Sequence, residues 1–182
     1  MRKIVLFSLI LISGLLTSCA SIPGKVKPGD TLVIGKVEVK AHDFKYSEKT
    51  KIDLNATYKQ NITLTVKNVV DGKEVQVQTN EDGFFFFKGL KAHNLYYISK
   101  VNVAAYSMSG WQTNLFVNLG NSNSFVAYDN QVINLGSTYY DVDGIKQMWS
   151  WQISNYYIVK EYFKELSKDS EWGDKNIVEW RY

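Results

Sequence analysis

The side chains able to do chemistry are few and scattered. One thiol, Cys19, and two imidazoles, His42 and His93, occur in 182 residues. His42 and His93 fall in separate loops, and no other cysteine can join them, so the ligand spacing of a structural zinc site is absent. Each histidine is expected to be a surface or hydrogen-bonded residue. There is no G-x-S-x-G elbow and no glycine-rich phosphate loop. Asp141-Val142-Asp143-Gly144 opens like a calcium loop but lacks a third liganding position and the distal glutamate of an EF-hand. A turn that caps a following helix is the better reading, and Glu81-Asp82 likewise reads as a turn. The expectation is no catalytic residue, no metal and no cofactor. A hydrolase with a cryptic site, built around His42 or His93, is the enzymatic alternative.

The elements around the thiol give it a role. Met1-Arg2-Lys3 is a basic start, and Ile4 to Leu16 is almost wholly apolar, broken by Ser8, Ser13 and Gly14. That run is shorter than the roughly 20 residues of a membrane-spanning helix and has the length of a signal-peptide core. Leu16-Thr17-Ser18-Cys19 then resembles the lipobox of bacterial lipoproteins. The resemblance implies removal of residues 1–18 as a signal peptide and attachment of a diacylglycerol to the Cys19 sulfur, with acylation of the new amino terminus. The alternatives are an ordinary secretory signal with a chance cysteine, or an uncleaved anchor. A lone thiol is chemically awkward in an oxidising compartment. One acyl chain binds a membrane only marginally, whereas two hold stably.

Without residues 1–18 the chain keeps the size of one domain with a real core. Loss of Arg2 and Lys3 also brings the formal charge of +3 close to neutrality. A near-neutral domain gives no ground for nucleic-acid binding. Arg2 and Arg181 are the sole arginines, so the usual residue for bidentate phosphate recognition is missing as well.

Residues 19–31 contain both prolines, Pro23 and Pro28, and read as the lipidated cysteine and its tether. Residues 20–31 reach about 40 Å at most when fully extended, so the domain must stay near the bilayer. From Leu32 the apolar period becomes two, and residues 32–142 are expected to form a β-sandwich. Strands are expected around Leu32–Val39 with a bulge at Gly35, then Ile62–Val66, Val75–Val77, Phe84–Phe87, Leu95–Tyr106, Asn114–Asn118, Ser124–Tyr128, Gln131–Leu135 and Thr138–Val142. Asp71-Gly72 suggests a two-residue hairpin. Alternation through Phe84–Phe87 aims a pair of rings to each face, so the second face is either covered or an interaction surface. Met148, Trp149, Gln152, Tyr156, Val159, Phe163 and Leu166 form a helical stripe, predicting one amphipathic helix over 143–168 capped by Asp141 or Asp143. Residues 169–182 are expected to pack back on the domain.

Within this pattern, Ile62–Lys73, Val77–Leu90 and Tyr96–Ile98 resemble the carboxypeptidase regulatory-like and collagen-adhesin B-type domains, which are transthyretin-like β-sandwiches. Thr79, Asp82, Gly83, Phe84 and Phe86 fall within their T-x-x-D-G-x-F/Y-x-F turn and strand signature, while His93-Asn94-Leu95-Tyr96 departs from the usual Gly-x-Tyr. The resemblance covers residues 32–105. It implies a mainly β, transthyretin-like fold and a structural, adhesive or partner-binding role without catalytic residues.

The aromatic content, 5 Trp, 12 Tyr and 9 Phe, is high for this length. Trp111, Trp149, Trp151, Trp172 and Trp180 lie in the second half and are the candidate binding aromatics; packing in the core or under the helix is the plainer account. The resulting expectation is a lipid-anchored protein of the bacterial cell envelope, in the outer rather than the inner membrane. It would bind or scaffold a protein partner, or a host or cell-wall ligand. A carbohydrate ligand held by exposed aromatics is the alternative.

Overall fold

The computed structural model describes residues 22, 24–42, 45–47, 50–51, 56–106, 112–118, 123–143 and 148–181. Leu16, Thr17, Ser18, Cys19, Trp111 and Gly144 lie outside the described residues. The elements are β1 (Asp30–His42), β2 (Lys45–Ser47), β3 (Thr50–Lys51), β4 (Ala56–Tyr58), β5 (Ile62–Asn68), β6 (Glu74–Gln78), β7 (Phe84–Lys91), β8 (Leu95–Tyr106), β9 (Gln112–Asn118), β10 (Ser124–Val126), β11 (Val132–Asp143), β12 (Met148–Ser154), α1 (Tyr156–Leu166) and β13 (Ile177–Glu179).

Among the described residues the fold is mainly β, with one helix and two principal sheets. The first is six-stranded, with β1 and β11 parallel at its centre; β12 and β13 flank β11, and β4 and β7 flank β1. The second is five-stranded, with β5 and β8 central, β6 on one side and β9 and β10 on the other. Their facing sides share one core: Val33, Val37, Val39, Phe85, Phe87 and Tyr140 of the first sheet pack with Ile62, Leu64, Val66, Ile98, Val101 and Val103 of the second.

The outer face of the first sheet is apolar along its first half only. Leu32, Ile34, Phe84, Phe86 and Val132 lie there beneath Val159 and Phe163 of α1, with Trp172 completing a second core. This resolves the Phe84–Phe87 run. Phe85 and Phe87 enter the core between the sheets, Phe84 and Phe86 enter the core under the helix, and all are buried. Tyr162 of α1 stacks on Phe84 with ring centroids 3.7 Å apart and planes 8° from parallel. Gly35 pairs with Phe85 across the β1–β7 ladder. A Cβ at Gly35 would overlap the Phe85 ring, so the glycine is what lets the ring lie over the strand.

Several expected boundaries are corrected. Residues 131–142 form no pair of strands but the single strand β11, whose inward positions change from Ile133 and Leu135 to Thr138, Tyr140 and Val142. One extra residue at Gly136, where φ is 75°, causes the change of parity, because β1 pairs Ile34 with Asn134 and then Lys36 with Ser137. Asp141 and Asp143 are therefore strand residues and cap no helix. The helix occupies Tyr156–Leu166 instead of 143–168, and Met148–Ser154 is an edge strand paired with β11. Apolar residues at 148, 149, 151 and 153 satisfy both periods. Asn155, at φ 55°, ends the strand and caps the helix, its side chain accepting from the Ile158 N–H at 3.1 Å. The loop after β5 is also wider than a two-residue hairpin. It runs over 69–73 and is closed by the Asn68 N–H on the Lys73 carbonyl at 2.9 Å.

Candidate functional site

The N-terminal segment is held where a free tether was expected. Ile22 and Val26 pack against the core under the helix. The Val26 N–H donates to Glu171 Oε2 at 2.9 Å, and the Glu171 N–H donates to the Gly24 carbonyl at 3.2 Å. The Gly29 N–H donates to Asp129 Oδ1 at 2.8 Å, and β1 begins at Asp30. Residues 24–29 are thus part of the domain.

The turn signature is placed residue by residue, and its organiser is Asn80, which the pattern did not include. Asn80 Oδ1 accepts from the Asp82 N–H at 3.1 Å and the Phe84 N–H at 2.8 Å, while Asn80 Nδ2 donates to the Tyr162 hydroxyl at 2.6 Å. Thr79 Oγ1 donates to the Lys59 carbonyl at 2.9 Å and accepts from the Ile62 N–H at 3.3 Å. Gly83 adopts φ 89°, and its carbonyl accepts from the Val37 N–H at 2.9 Å. Asp82 is exposed; its carboxylate raises the Tyr162 hydroxyl's pKa, secondary to burial of that hydroxyl. The signature therefore locks a turn and couples it to α1. The Asn-Glu-Asp-Gly spacing, with a short amide ahead of a glycine turn, was the available signal for Asn80.

The candidate binding aromatics separate. Trp172 is 1 % exposed, beneath the helix and the N-terminal segment, which takes it off the surface. Trp180 is half-buried against the main core and Tyr128, its indole N–H donating to the Ser124 carbonyl at 2.8 Å. Trp149 and Trp151 occupy register positions opposite Val142 and Tyr140 on β12. His93 lies in the loop before β8 at φ 63°, its N–H donating to the Ala127 carbonyl at 2.8 Å.

The second half of the first sheet's outer face is polar. On β1, Lys36, Glu38, Lys40 and His42 alternate with the buried Val37, Val39 and Ala41. Lys36 Nζ lies 2.8 Å from Glu38 Oε1, and Lys59 Nζ lies 3.7 Å from the same oxygen. Burial pushes the Glu38 carboxyl upward, but these lysines outweigh it and hold the group below the ordinary glutamate range. His42 Nε2 lies 2.8 Å from Asp141 Oδ1, an ion-pair separation once the ring is protonated, although Oδ1 has no well-aligned hydrogen bond. Tyr139 and Asp141 stand on the same side of β11, half-buried. Among the described residues no group of three or more His, Cys, Asp or Glu is placed to hold a metal ion. The arrangement offers charge and hydrogen-bonding groups on a firm strand surface, suited to recognition.

The second sheet's outer face carries rows of hydrogen-bonding side chains: Gln78, Thr63 and Asn102 in one row, Gln76, Thr65 and Lys100 in the next. Asn102 Oδ1 is buried there without a hydrogen-bond partner.

Against known proteins, no family model, no curated protein and no solved structure matches this chain.

Proposed function

We propose that this protein is a lipoprotein of the bacterial cell envelope, anchored through Cys19, whose domain binds or scaffolds a partner and performs no catalysis. The observation that carries the reading is the sole cysteine in Leu16-Thr17-Ser18-Cys19 behind a basic start and an apolar run. The docked segment 24–29 supports it, because it keeps the domain beside whatever holds Cys19. The transthyretin-like assignment of residues 32–105 belongs to the same proposal, supported by the Thr79–Phe86 turn. The outer membrane is the proposed site. The partner is a protein of the envelope or a host or cell-wall ligand, met by the polar half-face around Lys40, His42, Tyr139 and Asp141.

Fatty-acid labelling and membrane fractionation of wild type and Cys19→Ser test the anchor: label and membrane location should both be lost in the variant. A photo-crosslinking residue at the exposed Lys40 tests the binding role. A discrete adduct in living cells is expected, and its absence contradicts a partner on that face. The carbohydrate alternative rests on the amide- and hydroxyl-rich second sheet and the orphaned Asn102 Oδ1. Glycan-array binding abolished by Gln76→Ala with Gln78→Ala would favour it.

A further inference from the structure

The loops at one end of the sandwich lie side by side in hydrogen-bonded sequence. The Gly29 N–H reaches Asp129 Oδ1 at 2.8 Å, and the Asn130 N–H reaches the Asp30 carbonyl at 2.9 Å. The Ala127 carbonyl accepts from the His93 N–H at 2.8 Å, and the Ala127 N–H donates to the Asn94 carbonyl at 3.1 Å. The Leu95 carbonyl accepts from the Val69 N–H at 2.9 Å. These bonds step from the docked N-terminal segment across the end of both sheets to the loop 69–73. The Asn80–Gly83 turn lies at the other end of β7, level with Lys36 and Val37, and His42 lies farther still along β1.

This near end carries exposed aliphatic side chains. Val70 is 78 % exposed, Val69 49 % and Leu95 39 %. They are presented firmly: Asn68 Oδ1 accepts from the Val70 N–H at 2.8 Å, and the Asn68 carbonyl accepts from the Gly72 N–H at 3.0 Å. Lys25, Lys27, Lys73 and Lys91 stand at this end and are exposed, with Asp30, Asp71, Asp129 and Glu171 as the acids beside them; the Asp30 and Glu171 carboxylates accept from the Lys27 and Val26 N–H groups. Lys73 Nζ lies 3.8 Å from Asp71 Oδ2.

We propose that this end of the sandwich rests on the lipid bilayer, with Val69, Val70 and Leu95 entering the headgroup layer and the lysines facing lipid phosphates. The inference rests on the reading of Cys19 as the anchor and adds an orientation to it. The steps from Cys19 to Gly24 span about 17 Å at most. A diacylglyceryl cysteine sits at the membrane interface, so the domain cannot stand away from it, and the end where the segment docks is the end held down. A firm loop tip with adjacent aliphatic side chains, rimmed by lysines, is matched by an interface that is apolar below and anionic above. The polar half-face around His42 then points away from the membrane, free for a partner.

The test uses the full-length lipidated protein in vesicles of phosphatidylethanolamine and phosphatidylglycerol. An environment-sensitive fluorophore is placed at Val70→Cys and, as a control at the far end, at Asp82→Cys. Spin-labelled lipids carrying the quencher near the headgroup are then added. The proposal expects a blue shift and several-fold quenching at position 70 and neither at 82. No quenching at 70 in protein whose Cys19 is confirmed as lipidated overturns the orientation and leaves the anchor standing. A blue shift at 70 that depends on protein concentration, without lipid quenching, also overturns it and assigns the patch to a second copy. A free, maleimide-reactive Cys19 removes the anchor, and the orientation falls with it.

Discussion

Glu171 and Val26 are joined by a hydrogen bond of 2.9 Å between a carboxylate and a main-chain N–H that are 145 positions apart. With the return bond from the Glu171 N–H to Gly24, it pins the start of the domain to the turn that follows α1. Glu171→Ala is expected to cost only about 1 kcal/mol of global stability, since the bond is solvent-exposed. Trypsin cleavage after Lys25 should accelerate several-fold. Unchanged cleavage would show that the segment is held without Glu171.

Trp172 holds the same region from below, and its burial makes it a core residue. Trp172→Ala should cost about 3–5 kcal/mol in denaturant unfolding and free the N-terminal segment as well. Its indole N–H has no partner, so Trp172→Phe removes no hydrogen bond and should cost clearly less than the alanine variant. Equal losses in the two variants would contradict this account.

The turn signature can be dissected by substitution. Asn80→Ala strands the Asp82 and Phe84 N–H groups and the Tyr162 hydroxyl, and should cost about 2–3 kcal/mol. Asp82→Ala should stay within about 0.5 kcal/mol. Gly83→Ala should cost about 1–3 kcal/mol or more, because φ is 89° and the new Cβ would crowd the Val37 carbonyl. Thermal unfolding of the three variants gives the ranking, and Asp82→Ala as the most damaging would overturn it.

Glu38 gives the expected pH dependence. Its carboxyl is held below the ordinary range in the folded chain, so the folded state binds the proton less readily than the unfolded chain. Its contribution is present above the unfolded glutamate pKa and is lost as pH falls through the lower folded value. Glu38→Gln should therefore cost roughly 0.5–1 kcal/mol at pH 7. The difference from wild type should vanish in the acid range below the folded pKa. A difference that persists there would place the effect in packing, not charge.

Strand periodicity made most of the fold legible. β1, β5, β6, β7 and β8 follow their alternation, but the bulge expected at Gly35 lies across the ladder, where the extra residue belongs to β11 at Gly136 and β1 itself keeps its parity. What failed did so for local reasons. Gly136 shifts the alternation within β11, so one strand looked like two. The segment Met148–Ser154 fits a period of two or of 3.6, and pairing with β11 decided between them. Ile22 and Val26 are apolar residues in a proline- and glycine-bearing stretch, and the partners that bury them come from the far end of the chain. The polar half-face is visible in sequence only as Lys36, Glu38, Lys40 and His42 at alternate positions. Asp141 joins them through the parallel β1–β11 pairing, which no local pattern reports.

The central claim is that Cys19 carries the anchor. Intact-mass measurement of protein extracted from membranes tests it most directly. The account predicts a chain beginning at Cys19 with the added mass of a diacylglyceryl group, with or without an amide-linked acyl chain. A chain that retains residues 1–18, or one that carries Cys19 as an unmodified thiol, would contradict it.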